Sequence, residues 1–534
     1  MYIYFLVLIC AVLPAYQIRF QISGLPITLL EVMILILFVV WLVEKIKNQK
    51  SKINPPAGGQ NLKLNSWFWI IAIWLIVATI SMFIAPNLRE AAGIWKAYFV
   101  EPILLLIVFL DLIKTKKDLN LILNALIFSA FYCSVWAICQ KIFHFGGMMS
   151  TEVWSAPKIW RATGLFPQSN FLGLYLGPII VLTFGQIIAN RKKYLWFIAY
   201  SLVFVLSLAA IILARSNGAI LGVLVGLIFM GLIHKSSRKW TTIALIILLL
   251  IIKLLPVARN YVWQEATFQN LSGQLRVNIW QGAISLIKTN PILGVGLDGY
   301  QNLIPQYQAR FYDPITHQLI SVETHPYPHN LFLALWCELG LAGLIVFLII
   351  IFQFFKFGFR ELFRNLKLEI RNSDSGKDNQ ILILSLLASM VTILVHGAVD
   401  TPYFKNDLSI LFWLIIGLNI IIDKSDKMRY NINMEDQKNN MDELFKDLVQ
   451  KRKLTKIISS SSLNKKDKDF WIKLINHLDS EQTDIFINLI ENNSDNIDLL
   501  NKNLKDKMEI ISSKNFNLWE NILKEEEEMI KKLI

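Results

Sequence analysis

The chain has 534 residues, 54% of them hydrophobic and only 17% charged. That balance excludes an ordinary soluble domain, in which about a quarter of residues carry charge. The formal net charge of +13 invites a nucleic-acid reading, but the basic residues sit in short connectors between apolar runs, which is the footprint of membrane orientation. Cys10, Cys133, Cys139 and Cys337 all fall in apolar runs, so they read as buried small hydrophobes and not as a disulfide framework or metal cluster.

Taken in order, the apolar runs predict twelve spans, near 2–16, 25–43, 66–85, 97–113, 120–142, 170–189, 194–214, 217–233, 240–257, 329–355, 380–399 and 407–423. The first lacks a basic n-region and is read as a helix, not a signal peptide. The connectors alternate in charge. Those at 45–63, 114–117, 191–193, 235–239 and 356–377 hold 20 Lys and Arg, against 11 in the opposite set, although the opposite set is longer. Positive charge marks the cytoplasmic side, which puts both termini inside and the long loop, about 258–328, outside. The fold class expected is an all-α polytopic membrane protein over 1–423, with one large exterior loop. After Asp423 the composition turns polar, with apolar residues still recurring at helical spacing, as in Phe470, Trp471, Leu474, Ile475 and Leu478. This predicts a linker at 424–440 and a small cytoplasmic helical domain at 441–534, without the register of a tetratricopeptide repeat. That domain reads as an interaction module binding a cytoplasmic protein or, alternatively, as a solvated tail.

A soluble stretch of about 70 residues in such a chain needs a reason, because long loops are usually functional. Within and around it stand three exterior arginines. Arg161 precedes a span that begins at Asn170, and Arg215 occupies the short turn Arg215-Ser216-Asn217-Gly218. Arg276 lies on a helix expected from Ser272 or Gly273 to Asn290-Pro291, where Trp280, four residues on, shares its face. Arginine grips phosphate through paired donors, so the three suit a diphosphate; separately, each could equally anchor a helix end to lipid head groups. His329, between Pro328 and Asn330, opens the tenth span. A helix start disfavours the imidazolium, and a neutral histidine is a competent general base.

Other features carry weaker chemistry. His325 and His329 are four apart, but Pro326 and Pro328 oppose a continuous helix, so a metal site is not expected. The turn Gly294-Val295-Gly296-Leu297-Asp298-Gly299 could bring backbone amides to a phosphate or be a tight turn only; it lacks the lysine of a P-loop. Gly340 and Gly343 suit close helix packing. Glu31, Glu101, Glu338 and the pair His396 and Asp400 are ionisable groups near membrane depth, where function is the default suspicion.

The segment Arg276-Val277-Asn278-Ile279-Trp280 through Asn290-Pro291-Ile292-Leu293-Gly294-Val295-Gly296, then His329-Asn330 and Glu338-Leu339-Gly340-Leu341-Ala342-Gly343, resembles the O-antigen ligase and O-antigen polymerase superfamily. Ten residues separate His329 from Gly340, similar to the His-x10-Gly signature of the ligases. The likeness extends over roughly 150–420. One departure is that the ligases' Arg-x3-Leu pattern reads here as Arg276-x3-Trp280, which leaves the acceptor open. The resemblance implies a twelve-helix glycosyltransferase of a bacterial inner membrane. It would move a glycan from an undecaprenyl-diphosphate carrier to a glycan or lipid acceptor hydroxyl without metal or cofactor. Arg161, Arg215 and Arg276 would hold the diphosphate, His329 would assist the hydroxyl, and Asn330, Trp280 and Glu338 would support them. The alternative is a transporter or flippase of the same lipid-linked glycan, which inverted repeats and charges at the midplane would favour.

Overall fold

The computed structural model describes residues 2–22, 25–50, 66–150, 159–308, 310–312, 319–321, 324–367, 374–492, 495–513 and 518–533. It divides into two compact units, Met1–Ser425 and Asp426–Ile534.

The first unit is a bundle of apolar helices. It opens with α1 (Tyr2–Ala11), the hairpin β1 (Arg19–Ile22) and β2 (Leu25–Thr28), and α2 (Leu29–Lys50). Then come α3 (Ser66–Phe83), α4 (Leu88–Trp95), α5 (Glu101–Leu112) and α6 (Lys116–Ile142), with a π-turn at Lys96–Val100 joining α4 to α5. A second hairpin, β3 (Met148–Ser150) and β4 (Ile159–Arg161), leads into α7 (Ser169–Ala189), α8 (Tyr194–Ala214), α9 (Asn217–Ile233) and α10 (Arg238–Leu254). The expected long loop holds α11 (Pro256–Ala266), α12 (Leu271–Thr289), α13 (Gly299–Leu303) and the hairpin β5 (Arg310–Tyr312) and β6 (Leu319–Ser321). After it run α14 (Leu331–Lys367), α15 (Asp374–Gly397) and α16 (Asn406–Ser460).

Among the described residues, seven helices are long and apolar enough to cross a membrane, or eight if the pair α10–α11, bent by 99°, is one span. The multi-pass all-helical class therefore stands, while the count of twelve is not reached by length and composition. Three of the expected spans give shorter apolar helices: Tyr2–Ala11, Asn217–Ile233 and Asn406–Ile422. At the N-terminus the reason is Pro14, which falls in a 3-10 turn, Leu13–Gln17, and ends the α-helical hydrogen bonding. The expected linker 424–440 lies within α16; it contains no Gly or Pro to break a helix.

Burial separates the centre of the bundle from its rim. In α7 and α15 the apolar windows are 78% and 72% buried, against 28% in α3, and α10 has no buried residue at all. The centre is made by small residues that let backbones approach. A Cβ at Gly185 of α7 would lie 2.6 Å from that of Ser385 on α15, and one at Gly222 of α9 would lie 2.9 Å from the Thr392 carbonyl. Ser389 then pins α15 to α7 by donating to the Pro178 carbonyl at 2.9 Å. This packing brings the ends of α7, α8, α9 and α15 together, and the site is built there.

The second unit holds the end of α16 with α17 (Lys465–Ile475), α18 (Ser480–Asn492), α19 (Asn496–Ser513) and α20 (Trp519–Leu533). Its core gathers Leu454, Ile458, Trp471, Ile475, Ile487, Ile490 and Ile497. Trp471 donates its indole N–H to Asn501 at 3.1 Å, and Asn501 donates to Asp467, which is also paired with Lys505 at 2.7 Å.

Candidate functional site

The connection between α8 and α9 is a tight one. Arg215 takes the left-handed conformation (φ 49°, ψ 43°) that terminates α8, and Asn217 already begins α9. A helix end leaves carbonyls without partners, and Arg161 supplies them. Its Nε donates to the Ala214 carbonyl at 2.9 Å, and its Nη2 donates to the Arg215 carbonyl at 3.1 Å and to Asn170 Oδ1 at 2.7 Å. Arg161 reaches that position from β4, where it pairs opposite Met148, and the adjacent Ala162 amide bonds to the Leu213 carbonyl.

Arg276 comes from the loop. Its helix, α12, starts at Leu271 because Asn270 caps it, accepting from the Gly273 amide at 2.7 Å. The observed ends, Leu271 and Thr289, lie within two residues of those read from the sequence. Trp280 shares the helix but not the task. Its ring packs edge-on against Phe268 at 5.2 Å, and its buried indole nitrogen has no hydrogen-bond partner among the described residues.

His329 stands at the entrance of α14 in a left-handed turn, φ 48°. Asn330 is the cap: its Oδ1 accepts from the amides of Phe332 and Leu333, and its Nδ2 donates to the Ala398 carbonyl at 2.9 Å. The turn sets His329 Nδ1 3.4 Å from Asp400 Oδ1. Asp400 is buried just past the end of α15 and also accepts from the Thr401 amide at 2.8 Å. Burial by itself would raise the Asp400 carboxyl. The His329 hydrogen bond, the charges of His329 and His396 and the Thr401 amide outweigh it and hold the group below the usual carboxylate range. His325 lies edge-on to His329 with ring centroids 4.7 Å apart. Burial pushes His325 down to about 4, helped by His329 and opposed by Asp400.

These pieces meet at a cleft of about 820 Å³. Arg161, Arg215 and Arg276, from three separate connectors, all line it, together with Asn170, His396 and Asp400. Four of the seven residues singled out from sequence are not among the lining residues: His329, Asn330, Trp280 and Glu338. His329 instead touches the cleft through Asp400. A fourth cation, Lys141, also lines it, its ammonium 5.2 Å from the Trp160 ring centroid. Lys141 escaped the sequence reading because it ends an apolar helix, where a lysine ordinarily reaches for head groups.

The glycine-rich turn and Glu338 form a different assembly. The α14 helix breaks at Gly340 (φ 70°, ψ −174°), and the turn fits into the break. Val295 N–H donates to the Cys337 carbonyl at 2.7 Å, Leu341 N–H to the Ile292 carbonyl at 3.0 Å and Ser81 Oγ to the Glu338 carbonyl at 2.6 Å. The fully buried Glu338 carboxylate accepts from the Asp298 and Tyr300 amides. The amides considered for a phosphate are therefore taken by the protein's own carboxylate, and Gly340 serves a backbone break more than helix contact. Among the described residues, no group of three or more His, Cys, Asp or Glu side chains is placed to share a metal ion. The four cysteines are free, and only Cys139 is not fully buried.

Residues 202–348 match the family described as O-antigen ligase. The matched stretch runs from α8 into α14, lies inside the range of likeness read from the sequence, and includes Arg215, Arg276, His329 and Glu338. Arg161 and Asp400 fall outside it. No curated protein matches the chain. Over residues 202–348, then, this multi-pass membrane protein is similar to the O-antigen ligase family, in agreement with the resemblance to the O-antigen ligase and polymerase superfamily.

Proposed function

We propose that the protein is a membrane glycosyltransferase that moves a glycan from an undecaprenyl-diphosphate carrier to an acceptor hydroxyl, as an O-antigen ligase or polymerase. In this reading all twelve apolar segments lie in a bacterial inner membrane, the termini are cytoplasmic, and the cleft opens on the opposite face. The observation that carries the reading is the meeting of Arg161, Arg215 and Arg276 in one cleft with the carboxylate that bonds His329.

The chemistry follows from those groups. A diphosphate leaves readily once its charge is balanced, and fixed guanidinium groups in a partly enclosed cleft supply that balance. With Nδ1–H given to Asp400, His329 keeps the lone pair on Nε2 for a proton. The acceptor oxygen then bonds to the anomeric carbon from the face opposite the diphosphate. Its proton passes to Nε2, and the bond to the carrier oxygen breaks with the electron pair leaving on the diphosphate. The result is inversion at that carbon without a metal ion.

The test is transfer in proteoliposomes carrying the lipid-linked glycan and an acceptor. His329→Ala and Arg276→Ala should each lower the rate by about 10²–10³-fold with protein levels intact. Full transfer by both variants would remove the mechanism. Movement of the lipid-linked glycan across the bilayer without product would instead establish a flippase.

A further inference from the structure

The cleft also holds a group that a diphosphate does not need. Glu265, in the last turn of α11, lines it beside four cations and is unlike them in sign. A carboxylate next to a diphosphate is repulsive, so it requires a different ligand. Its geometry is fixed with care: Oε1 accepts from Asn217 Nδ2 at 3.2 Å and from Asn270 Nδ2 at 2.6 Å. Asn270 is itself held by capping α12. Oε2 has no hydrogen-bond partner among the described residues. Tyr261, one helical turn back and 56% exposed, also lines the cleft, as does Trp160.

An acceptor oxygen, oriented by two carboxamides in a cleft that Trp160 and Tyr261 also line, suits the hydroxyls and C–H faces of a sugar ring. Its place along the chain says which sugar. Asn217 follows Arg215 by two residues, at most about 7 Å of backbone. The carboxylate it steadies is thus within about a ring's reach of the cations. Resting on the glycosyltransferase reading, we infer that Glu265 is a specificity-determining residue that hydrogen-bonds the sugar joined directly to the diphosphate, with Asn217 and Asn270 as positioning residues. Charge-assisted hydrogen bonds of this kind are roughly twice as strong as neutral ones.

The experiment compares two ligands on the full-length protein in nanodiscs. One is the lipid-linked glycan that accumulates in cells lacking the protein; the other is undecaprenyl diphosphate with no sugar. Glu265→Ala should weaken binding of the first at least 10-fold and raise its KM with little change in kcat, while binding of the second stays as in the wild type. Glu265→Gln, which keeps an acceptor oxygen, should fall between. Asn217→Ala should reproduce part of the KM effect, and Arg215→Ala should weaken both ligands. Unchanged glycan binding in Glu265→Ala, or equal losses for both ligands, would overturn the assignment. Binding is read without turnover, so a protein that binds both carriers and transfers nothing would sink the transferase reading while still deciding the role of Glu265.

Discussion

Two clusters of ionisable groups and glycine turns lie near the head of α14, and they do opposite things with charge. Around Glu338 the polar groups bond one another: the carboxylate takes two amides, and the broken helix hands its carbonyls to Ser81 and the glycine-rich turn. At the cleft the reverse holds. Arg161 spends part of its guanidinium on helix-end carbonyls, yet Arg215, Arg276 and Lys141 line open space with it. A buried charge that is satisfied by backbone holds the fold together; a cavity lined by four cations and two carboxylates carries an excess of positive charge that suits an anion. Partner geometry separates the two cases.

The sharpest way to break the comparison is to damage the closed cluster. Gly340 sits in a region of backbone space essentially reserved for glycine, where another residue costs about 1–3 kcal/mol. A Cβ there would also lie 2.5 Å from the Leu293 carbonyl carbon. Gly340→Ala should leave little folded protein in the membrane fraction. Gly93→Ala is the matched control, since nothing lies within 4 Å of its Cβ, and should express normally. Equal yields would mean that the turn is not what closes the broken helix.

A smaller effect, confined to activity, is expected from Asp400→Asn. The amide can still accept from Thr401 but cannot balance an imidazolium forming on His329. Transfer should fall on the order of 10²-fold with protein yield unchanged, measured beside His329→Ala in the same liposomes. The double variant should lose little more than His329→Ala alone, because the two act as one unit. Additive losses would separate Asp400 from the histidine.

The difference between the clusters was only half legible in the sequence. The cleft arginines were, because each stands outside the apolar runs and Arg215 has no room in its short turn to be elsewhere. The bounds of α12 were, because Asn270 and Pro291 punctuate it. The partner of His329 was not. Asp400 lies 71 residues away, and only the approach of α15 to α14 joins them. Glu338 and the turn were ambiguous for a physical reason: a tight glycine turn offers the same amides to a phosphate as to a carboxylate, and nothing local says which arrives. Trp280 lies away from the cleft lining although four-residue spacing puts it on the face of Arg276, because a helix over a cleft presents only part of that face to it.

The smallest effect tests how the two histidines share one pocket. His325 is held down to about 4, whereas in the unfolded chain an ordinary histidine titrates near about 6.5. Between those values the unfolded chain binds more protons than the folded one, so stability rises with pH. The contribution is whole above about 6.5 and is lost progressively as pH falls toward 4. Asp400 acts in the same sense, but only at and below the ordinary carboxylate range. Thermal stability followed from pH 7 to 4.5 should therefore decline in the wild type through the histidine window, and His325→Gln should flatten that decline without touching the steeper fall below it. If His325→Gln leaves the curve unchanged, His325 is not buried neutral beside His329. If it flattens the decline and also lowers transfer, the cleft's proton chemistry extends to His325, beyond the residue that touches Asp400.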